Sequence, residues 1–320
     1  MRPILLLVPL AILLTATAAL SLLGVHGFGQ LASGAGLPPL EWHLIRELRL
    51  PRVLAAAAAG ALLSAAGCAV QARFRNPLAE PGLIGINSGA ALAAALALAL
   101  GAGMGTVFMS AFAGGMLALL AIRLLGRAHR DSVRLILAGL AVSTILGSLL
   151  TLLISLLPDG ALRSVTFWLM GSFAGADWPQ ALTLALAAPA VWLLLYRRWP
   201  LLNALQLGND AAFHLGFDVK RGEWQVTTLA ALAAGFVVAA CGMVGFVGLM
   251  APHLTRQLVG GDAKRLLQAA PLTGALLTVL ADWLARSVIA PAELPVGVIT
   301  SLIGAPFFLW LLQQDGKHHA

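Results

Sequence analysis

The chain has 320 residues, of which 60% are hydrophobic and only 10% carry a charge. Apolar stretches recur along its whole length and a soluble domain of this size could not bury them, so the composition predicts a membrane protein with roughly ten spanning helices of about 20 residues each. The net charge of +7 is spread between the apolar stretches rather than gathered on one face, which argues against nucleic-acid binding.

Ten apolar segments predict an all-α, polytopic fold in a single domain over residues 1–320. The predicted spans are residues 4–24, 53–72, 82–101, 105–125, 135–157, 180–196, 224–243, 245–259, 267–290 and 296–312. The first could instead be a signal peptide, because Ala16-Thr17-Ala18 resembles an A-x-A cleavage site. Its apolar run exceeds the about 7–15 residues of such peptides, which favours a spanning helix.

The positive residues predict the orientation of these helices. If the N-terminus is cytoplasmic, all but five of the 20 Lys and Arg residues lie on the inner side, as the positive-inside rule requires. The five on the outer side are Arg46, Arg49, Arg52, Arg163 and Arg286. Both termini are therefore predicted to be cytoplasmic.

Two outer stretches are not predicted to span. Residues 25–50 form an external segment that contains Pro38-Pro39 and a predicted short helix over residues 40–48. Residues 163–177 are amphipathic and rich in glycine, which predicts a short helix at the outer face.

The longest cytoplasmic stretch, residues 197–222, contains a short helical pattern between Gly208 and Gly216. Asn209 or Asp210 can cap this helix, and Gly216 can end it. A short rigid helix that projects from the membrane can enter a groove on a partner protein. An ordinary solvated loop would also be compatible with the pattern.

Proline and glycine residues interrupt the chain between Asn76 and Ala90. Pro77 and Pro81 stop the preceding helix, and Gly82 loosens the start of the next. Irregular backbone at membrane depth is stable only where it is buried in protein or lines a water-filled cavity, so the segment predicts a pathway or a gate. A plain turn between helices would give a similar pattern.

A weak internal similarity suggests that the break has a counterpart. Ser64-Ala65-Ala66-Gly67-Cys68 resembles Ala239-Ala240-Cys241-Gly242, and each precedes a proline, at Asn76-Pro77 and Pro252-His253. Repeated halves are common in transporters, although shared composition would also produce the similarity. This interpretation places a second break at Pro252.

Three of the five outer arginines lie next to predicted spans, on the side where positive residues are rare. Arg49 and Arg52 precede the second span, and Arg286 lies at the outer end of the ninth. Their guanidinium groups can reach lipid phosphates, or can bind carboxylates of a partner protein through paired hydrogen bonds. Asp282 lies four residues before Arg286 on one helical face and is predicted to be its counter-charge.

No grouping of residues predicts catalysis or metal binding. The sequence contains neither the H-E-x-x-H of metalloproteases nor the G-x-x-x-x-G-K-[ST] loop of ATPases. Ser88 lies in Gly85-Ile86-Asn87-Ser88-Gly89, whose spacing differs from the G-x-S-x-G nucleophile turn. Cys68 and Cys241 fall inside apolar spans and are predicted to be small core residues. Any ATP hydrolysis must therefore come from another chain.

Five groups of residues follow one another along the chain. They are Arg49-Leu50-Pro51-Arg52; Asn76-Pro77-Leu78-Ala79-Glu80-Pro81-Gly82; Phe167-Trp168-Leu169-Met170-Gly171-Ser172; Gly245-Phe246-Val247-Gly248-Leu249 with Pro252-His253 and Arg256; and Glu293-Leu294-Pro295-Val296-Gly297-Val298-Ile299-Thr300 before Gly304-Ala305-Pro306. Together they resemble the FecCD-type permeases, the iron-siderophore, haem and vitamin B12 branch of bacterial ABC importers. The resemblance covers roughly residues 49–312.

The resemblance implies the ten-helix fold of a type II ABC importer permease in the bacterial cell inner membrane. It implies a homodimer, or a heterodimer with a homologous permease, that is surrounded by membrane lipid. Two cytoplasmic ABC ATPase subunits and a periplasmic substrate-binding protein would complete the importer. It implies no cofactor on this chain, because ATP and Mg²⁺ would bind to the ATPases.

The resemblance also implies roles for particular residues. Coupling to the ATPase maps to residues 205–217, and the residues expected to carry it are Leu207, Gly208, Asn209, Asp210, Ala211, Ala212, Leu215 and Gly216. Docking of the binding protein maps to Arg49, Arg52 and Arg286. The family's gate at the start of the fifth span corresponds to Ser132 and to Val133, where a hydroxyl is lost. The other expected pathway or gate residues are Asn76, Pro77, Pro81 and Gly82.

We expect the cargo to be an iron chelate, either a siderophore or haem, because these are the commoner cargo of the family. Vitamin B12 is the alternative, because residues 76–82 and 171–178 look close to the cobalamin permease. An ion-coupled secondary transporter is a more distant alternative. It would need carboxylates within the membrane, and the few available, Asp282, Glu80 and Glu293, lie near predicted helix ends. An intramembrane enzyme is more distant still.

Overall fold

The computed structural model describes residues 4–32, 38–126 and 132–317, and every regular element in these ranges is helical. In chain order the helices are α1 (Ile4–Ala32), α2 (Pro39–Leu44), α3 (Leu50–Phe74), α4 (Ile86–Ala99), α5 (Met104–Gly126), α6 (Ser132–Ser155), α7 (Asp159–Leu169), α8 (Trp178–Tyr196), α9 (Trp199–Leu207), α10 (Asn209–His214), α11 (Val219–Cys241), α12 (Val247–Val259), α13 (Ala263–Ser287) and α14 (Val296–Lys317). A π-helical turn (Ile45–Arg49) joins α2 to α3, and a 3-10 turn (Pro81–Ile84) precedes α4.

Each of the ten predicted spans coincides with a helix, namely α1, α3, α4, α5, α6, α8, α11, α12, α13 and α14. Within the described ranges, six helices are long and apolar enough to cross a membrane, and three shorter apolar helices accompany them. The all-α, polytopic prediction is confirmed. Helix α1 continues beyond the first predicted span, to Ala32.

The outer stretch after α1 is more regular than the sequence indicated. The predicted short helix over residues 40–48 is present as α2 and the π-helical turn, and it continues without a break into α3, which gives one apolar helix from Pro39 to Phe74. Pro51 cannot donate a hydrogen bond to the preceding turn, and the π-helical turn lies immediately before it. The predicted outer helix over residues 163–177 begins earlier, as α7, and ends at Leu169.

Helix α3 lies at the centre of the bundle, where glycine residues allow its neighbours to approach closely. A Cβ atom at Gly60 would overlap the carbonyl oxygen of Gly274 on α13, and one at Gly67 would overlap that of Gly248 on α12. Apolar side chains gain little from helix association in lipid, so close backbone packing has to stabilise the bundle. The glycine positions on α3 therefore determine where α12 and α13 lie.

We predict that Gly274→Val lowers the free energy of unfolding by about 1–3 kcal/mol, because a branched side chain cannot fit against the backbone of α3. Unfolding of the protein in detergent micelles, followed by circular dichroism, measures this loss. The control is Gly105→Val at the start of α5, where no atom lies within 4 Å of an added Cβ. Equal losses in the two variants would contradict the prediction.

Candidate functional site

A buried ion cluster connects the start of α3 to the end of α13, which the sequence predicts to lie on the outer side. The Arg52 Nε atom donates to both carboxylate oxygens of Asp282 at 3.0 Å, and its Nη2 atom lies 2.9 Å from Asp282 Oδ1. The Arg52 Nη1 atom donates to Glu293 Oε2 at 2.9 Å. Arg52 is 8% exposed and Asp282 is 1% exposed, so solvent screens this pairing weakly. All three guanidinium nitrogens of Arg52 are therefore engaged inside the chain.

Arg49 and Arg286, the other two arginines of the predicted docking surface, bind helix α1. The Arg286 Nε atom lies 3.3 Å from Asp282 Oδ2, and its Nη2 atom donates to the hydroxyl of Ser21. The Arg49 Nη1 atom donates to the carbonyl oxygen of Leu22 at 2.8 Å. The predicted ion pair between Asp282 and Arg286 is thus confirmed. The cluster holds α1, α3, α13 and the segment before α14 together.

The predicted docking arginines all form bonds within their own chain. The structure brings Arg49, Arg52 and Arg286 to the same end of the bundle, but each of them is bound to groups of its own chain. Sequence analysis missed Glu293 as the second partner of Arg52, because nothing local relates residues that lie 241 positions apart. Docking through these arginines stays a prediction.

We predict that Asp282→Asn lowers the free energy of unfolding by about 3–5 kcal/mol, because it leaves the buried guanidinium group of Arg52 without its main counter-charge. Thermal unfolding in detergent micelles measures the change. Glu47→Gln is the control, since its ion pair with Arg46 is exposed and spans 3.6 Å. A loss no greater in Asp282→Asn than in this control would contradict a structural role of the cluster.

The predicted break after α3 is confirmed as irregular backbone. Arg75 adopts a left-handed conformation with φ of 50°, and the Asn76 side-chain oxygen accepts a hydrogen bond from the backbone of Leu78 at 2.8 Å. Asn76 is exposed, whereas Pro81 is buried. The Glu80 carboxylate then accepts the backbone N–H of Phe246 at 2.7 Å. The segment therefore turns back into the bundle.

Phe246 belongs to a second break, which the sequence analysis misplaced. The break was predicted at Pro252, but Pro252 lies inside α12, and the chain is irregular before that helix. Gly242 and Phe246 have φ of 72° and 65°, which end α11 and begin α12. The glycines at positions 242 and 245 were the signal for this break.

The two breaks contact each other inside the bundle. Beyond the bond from Glu80, the ring of Pro81 lies against Gly248, where an added Cβ would be 3.1 Å from the carbonyl oxygen of Leu63 near the middle of α3. Helices α4 and α12 both begin here, and each is only about 20 Å long by its residue count, less than the about 30 Å of the hydrocarbon core. The irregular backbone is thus buried in protein, as a membrane interior requires.

The predicted gate residues are only partly described. Ser132 and Val133 begin α6, but their side chains lie outside the described part of the chain. Gly82 lies against the side-chain nitrogen of Asn87, whose buried oxygen Oδ1 has no hydrogen-bond partner among the described residues. Sequence analysis had not singled out Asn87 for this position. The gate assignment stays a prediction.

The predicted cytoplasmic segment forms two short helices, α9 and α10, and glycines lie on both sides of α10. Gly208 and Gly216 have φ of 119° and 88°, a conformation that favours glycine, and Gly216 ends α10 as predicted. The predicted side-chain cap was wrong, because Gly208 is the N-cap residue and no side chain caps it. Asn209 instead donates to Glu223 on α11 at 3.2 Å.

The same segment presents apolar side chains on its surface. Leu207, Phe213 and Leu215 are 74%, 69% and 62% exposed, whereas Ala212 and Leu205 are fully buried and fix the segment to the bundle. Exposed aromatic and aliphatic side chains on a rigid turn are typical of contact sites for another protein.

The described residues contain no group of three or more His, Cys, Asp or Glu side chains that could hold a metal ion. Cys68 and Cys241 are both buried, so their predicted place in the core is confirmed. The described geometry therefore consists of an ion cluster at one end of the bundle, a pair of central helix breaks, and the segment of α9 and α10. This segment, residues 199–217, is predicted to lie on the cytoplasmic side and is called the projecting inner segment below.

Comparison with known proteins identifies the family. The model of the FecCD transport family matches residues 4–314. The chain is 39% identical over 289 residues to the hemin transport system permease protein HmuU of Yersinia pestis. The alignment covers 87% of this chain and 86% of HmuU. The chain is 41% identical over 281 residues to the vitamin B12 import system permease protein BtuC of Vibrio cholerae, which covers 86% and 84%.

A third relative and two solved structures are also similar to this chain. The Fe(3+) dicitrate transport system permease protein FecD of Escherichia coli K12 is 37% identical over 313 residues, 91% of this chain and 96% of that protein. An inward-facing putative metal-chelate type ABC transporter superposes with a TM-score of 0.88 and 34% identity over 97% of this chain and 99% of its own. PsaBC from Streptococcus pneumoniae shares the fold, with a TM-score of 0.60 and 20% identity over 83% and 90%.

These matches cover nearly the whole chain. They argue against the two alternative functions, a secondary transporter and an intramembrane enzyme. The three relatives transport different cargo, at identities too similar to favour one of them. The chain belongs to the FecCD transport family and is a multi-pass membrane permease of the ABC importer class.

Proposed function

We propose that this chain is the membrane-spanning subunit of an ATP-driven importer that moves an iron chelate, a siderophore or haem, from the periplasm to the cytoplasm. The observation that carries the proposal is the similarity over nearly the whole chain to permeases for hemin and for ferric dicitrate, both of which are iron chelates. Vitamin B12 is the second candidate, because the BtuC permease is equally similar. All three cargoes are bulky metal chelates.

The subunit works with other chains. Two copies of the permease, or one copy and a homologue, would enclose the pathway, and two ATPase subunits would bind ATP and Mg²⁺ on the cytoplasmic side. A periplasmic binding protein would deliver the chelate. ATP binding would favour one of two arrangements of the bundle by closing the ATPase pair.

The projecting inner segment is the surface that receives the ATPase. Its exposed Phe213 and Leu215 supply apolar contact area. Two contacts connect it to the bundle: Asn209 binds Glu223 at the start of α11, and the guanidinium of Arg75, just beyond α3, lies beside Gly208. A displacement of α10 would therefore reach both α11 and the central helix α3.

We predict that Gly216→Pro abolishes ATP-driven uptake while the ATPase subunits still hydrolyse ATP. Proline cannot adopt the φ of 88°, and it removes the N–H that donates to Phe213 at 2.9 Å. Gly216→Ala keeps this N–H at a cost of about 1–2 kcal/mol for the left-handed conformation, so uptake should be retained. Uptake and hydrolysis are measured together in proteoliposomes, and unchanged uptake in Gly216→Pro would refute the coupling role.

The ion cluster at the outer end would compete with docking of the binding protein there. Glu293 is the half-exposed member, with 43% of its side chain accessible, and it occupies Nη1 of Arg52. A carboxylate of the binding protein that approaches Arg52 would have to replace Glu293 there. The internal carboxylate and the incoming one would then compete for the same guanidinium nitrogen.

We predict that Glu293→Gln tightens docking of the binding protein, because the neutral amide binds Arg52 less strongly than a carboxylate does. Surface plasmon resonance with the permease in nanodiscs measures the affinity. Glu47→Gln is the control, since it removes an outer carboxylate that pairs with Arg46 instead. Weaker docking of Glu293→Gln, or undiminished docking of Arg286→Glu, would count against the docking role of the cluster.

Uptake by the complete importer tests the proposed cargo. The permease, its ATPase and its binding protein are reconstituted in liposomes and supplied with hemin, a ferric siderophore or cobalamin, with and without ATP. Uptake of hemin or the siderophore only with ATP is the expected result. Uptake of cobalamin alone would favour the second candidate, and uptake without ATP would refute an ATP-driven importer.

A further inference from the structure

A cavity of about 380 Å³ lies at the inner end of the bundle, between the end of α8 and the start of α11. Its lining includes Arg197, Arg198, Leu201, Phe217, Asp218 and Arg221. The volume falls within the about 300–1,000 Å³ of small-molecule sites. Leu201 and Phe217 connect it to the projecting inner segment, since one lies on α9 and the other follows α10.

The cavity is positively charged and its arginines are not satisfied internally. The side chains of Arg197, Arg198 and Arg221 form no ion pair or hydrogen bond with the residues that the structure describes. The carboxylate of Asp218 accepts the backbone N–H of Arg221 at 3.0 Å, so it caps α11. Three exposed arginines and one aspartate therefore line this space, and such a lining favours an anion with several oxygen acceptors.

Aromatic residues near this cavity predict that it lies at the membrane surface. Tyr196 and Trp199 lie on either side of the two arginines in the sequence, and the Lys264 ammonium lies 5.1 Å from the ring of Trp199. Amphipathic aromatic rings and lysine side chains concentrate at the level of the lipid headgroups. In the predicted orientation this is the cytoplasmic leaflet, where anionic lipids attract basic residues.

An apolar stripe on α8 leads directly to the arginines. Leu186, Leu193 and Leu194 are 71%, 42% and 47% exposed and lie along the face of α8 that no described element covers. The backbone N–H of Arg197 donates to the carbonyl of Leu193 at 3.0 Å, so the helical spacing continues and the arginine lies one turn below the stripe. A single bound molecule could therefore place its apolar chains on the leucines of α8 and its charged group in the cavity.

We propose that this cavity binds the phosphate headgroup of an anionic phospholipid, whose acyl chains lie along the exposed leucines of α8. The charge of the cavity, its level in the membrane and the continuous apolar stripe each match a different part of such a lipid. A bound headgroup contacts Leu201 and Phe217 at both ends of the projecting inner segment. The site is independent of the cargo that the permease carries.

Lipid binding to the purified full-length protein tests the site by native mass spectrometry. The protein is titrated with phosphatidylglycerol, with phosphatidylcholine and with inorganic phosphate. Phosphatidylglycerol should bind more tightly than phosphatidylcholine, and Arg221→Gln should weaken it by about fivefold. Lys220→Gln is the matched control, because Lys220 precedes Arg221 on the same exposed turn but does not line the cavity.

The control measurements distinguish a lipid headgroup from free phosphate as the bound anion. Equal weakening by Arg221→Gln and Lys220→Gln, or equal binding of the two lipids, would overturn the site. Inorganic phosphate that displaces the lipid at equal concentration would show a site for a free anion and would also overturn the proposal. Loss of the bound lipid on addition of the ATPase subunit would assign the cavity to that protein instead.

Discussion

The close approach of α3 to α12 and α13 is the constraint on which the rest of the bundle depends. Glycines at positions 60, 67, 248 and 274 bring the helix backbones together, and two hydroxyls bind across the same seams, from Ser64 to the Ala270 carbonyl and from Thr278 to that of Ala56. In lipid these contacts replace the hydrophobic drive that assembles a soluble core. A rigid central helix then gives the functional elements a common support.

Both ends of this support carry polar groups. At the outer end the Arg52 cluster binds α1, α13 and the segment before α14 to α3. Near the inner end Arg256 of α12 donates to Gln71 of α3 at 3.3 Å. A buried charge is costly unless it is paired, so the Arg52 cluster is stable only when α3 and α13 are neighbours.

The central breaks lie between these anchors and join distant parts of the sequence. Glu80 binds Phe246 across 166 positions, so a shift of α12 relative to α3 would move the start of α4 as well. The projecting inner segment is attached to α11 and lies beside the end of α3. An importer that alternates between two arrangements needs such a connection between its cytoplasmic contact and its membrane interior.

The sequence by itself determined the ten helices of the predicted spans, the break near Pro81, the glycine-bounded inner segment and the family, because composition, spacing and backbone preferences are local properties. Only the tertiary structure decided that Arg52 is bound by Asp282 and Glu293, that the two breaks contact each other, and that Asn209 binds Glu223 rather than capping α10. The sequence could likewise not predict the basic cavity, because Arg197 and Arg221 come together only in the folded protein. Pairings between distant side chains depend on how the helices pack, and no local pattern encodes that packing.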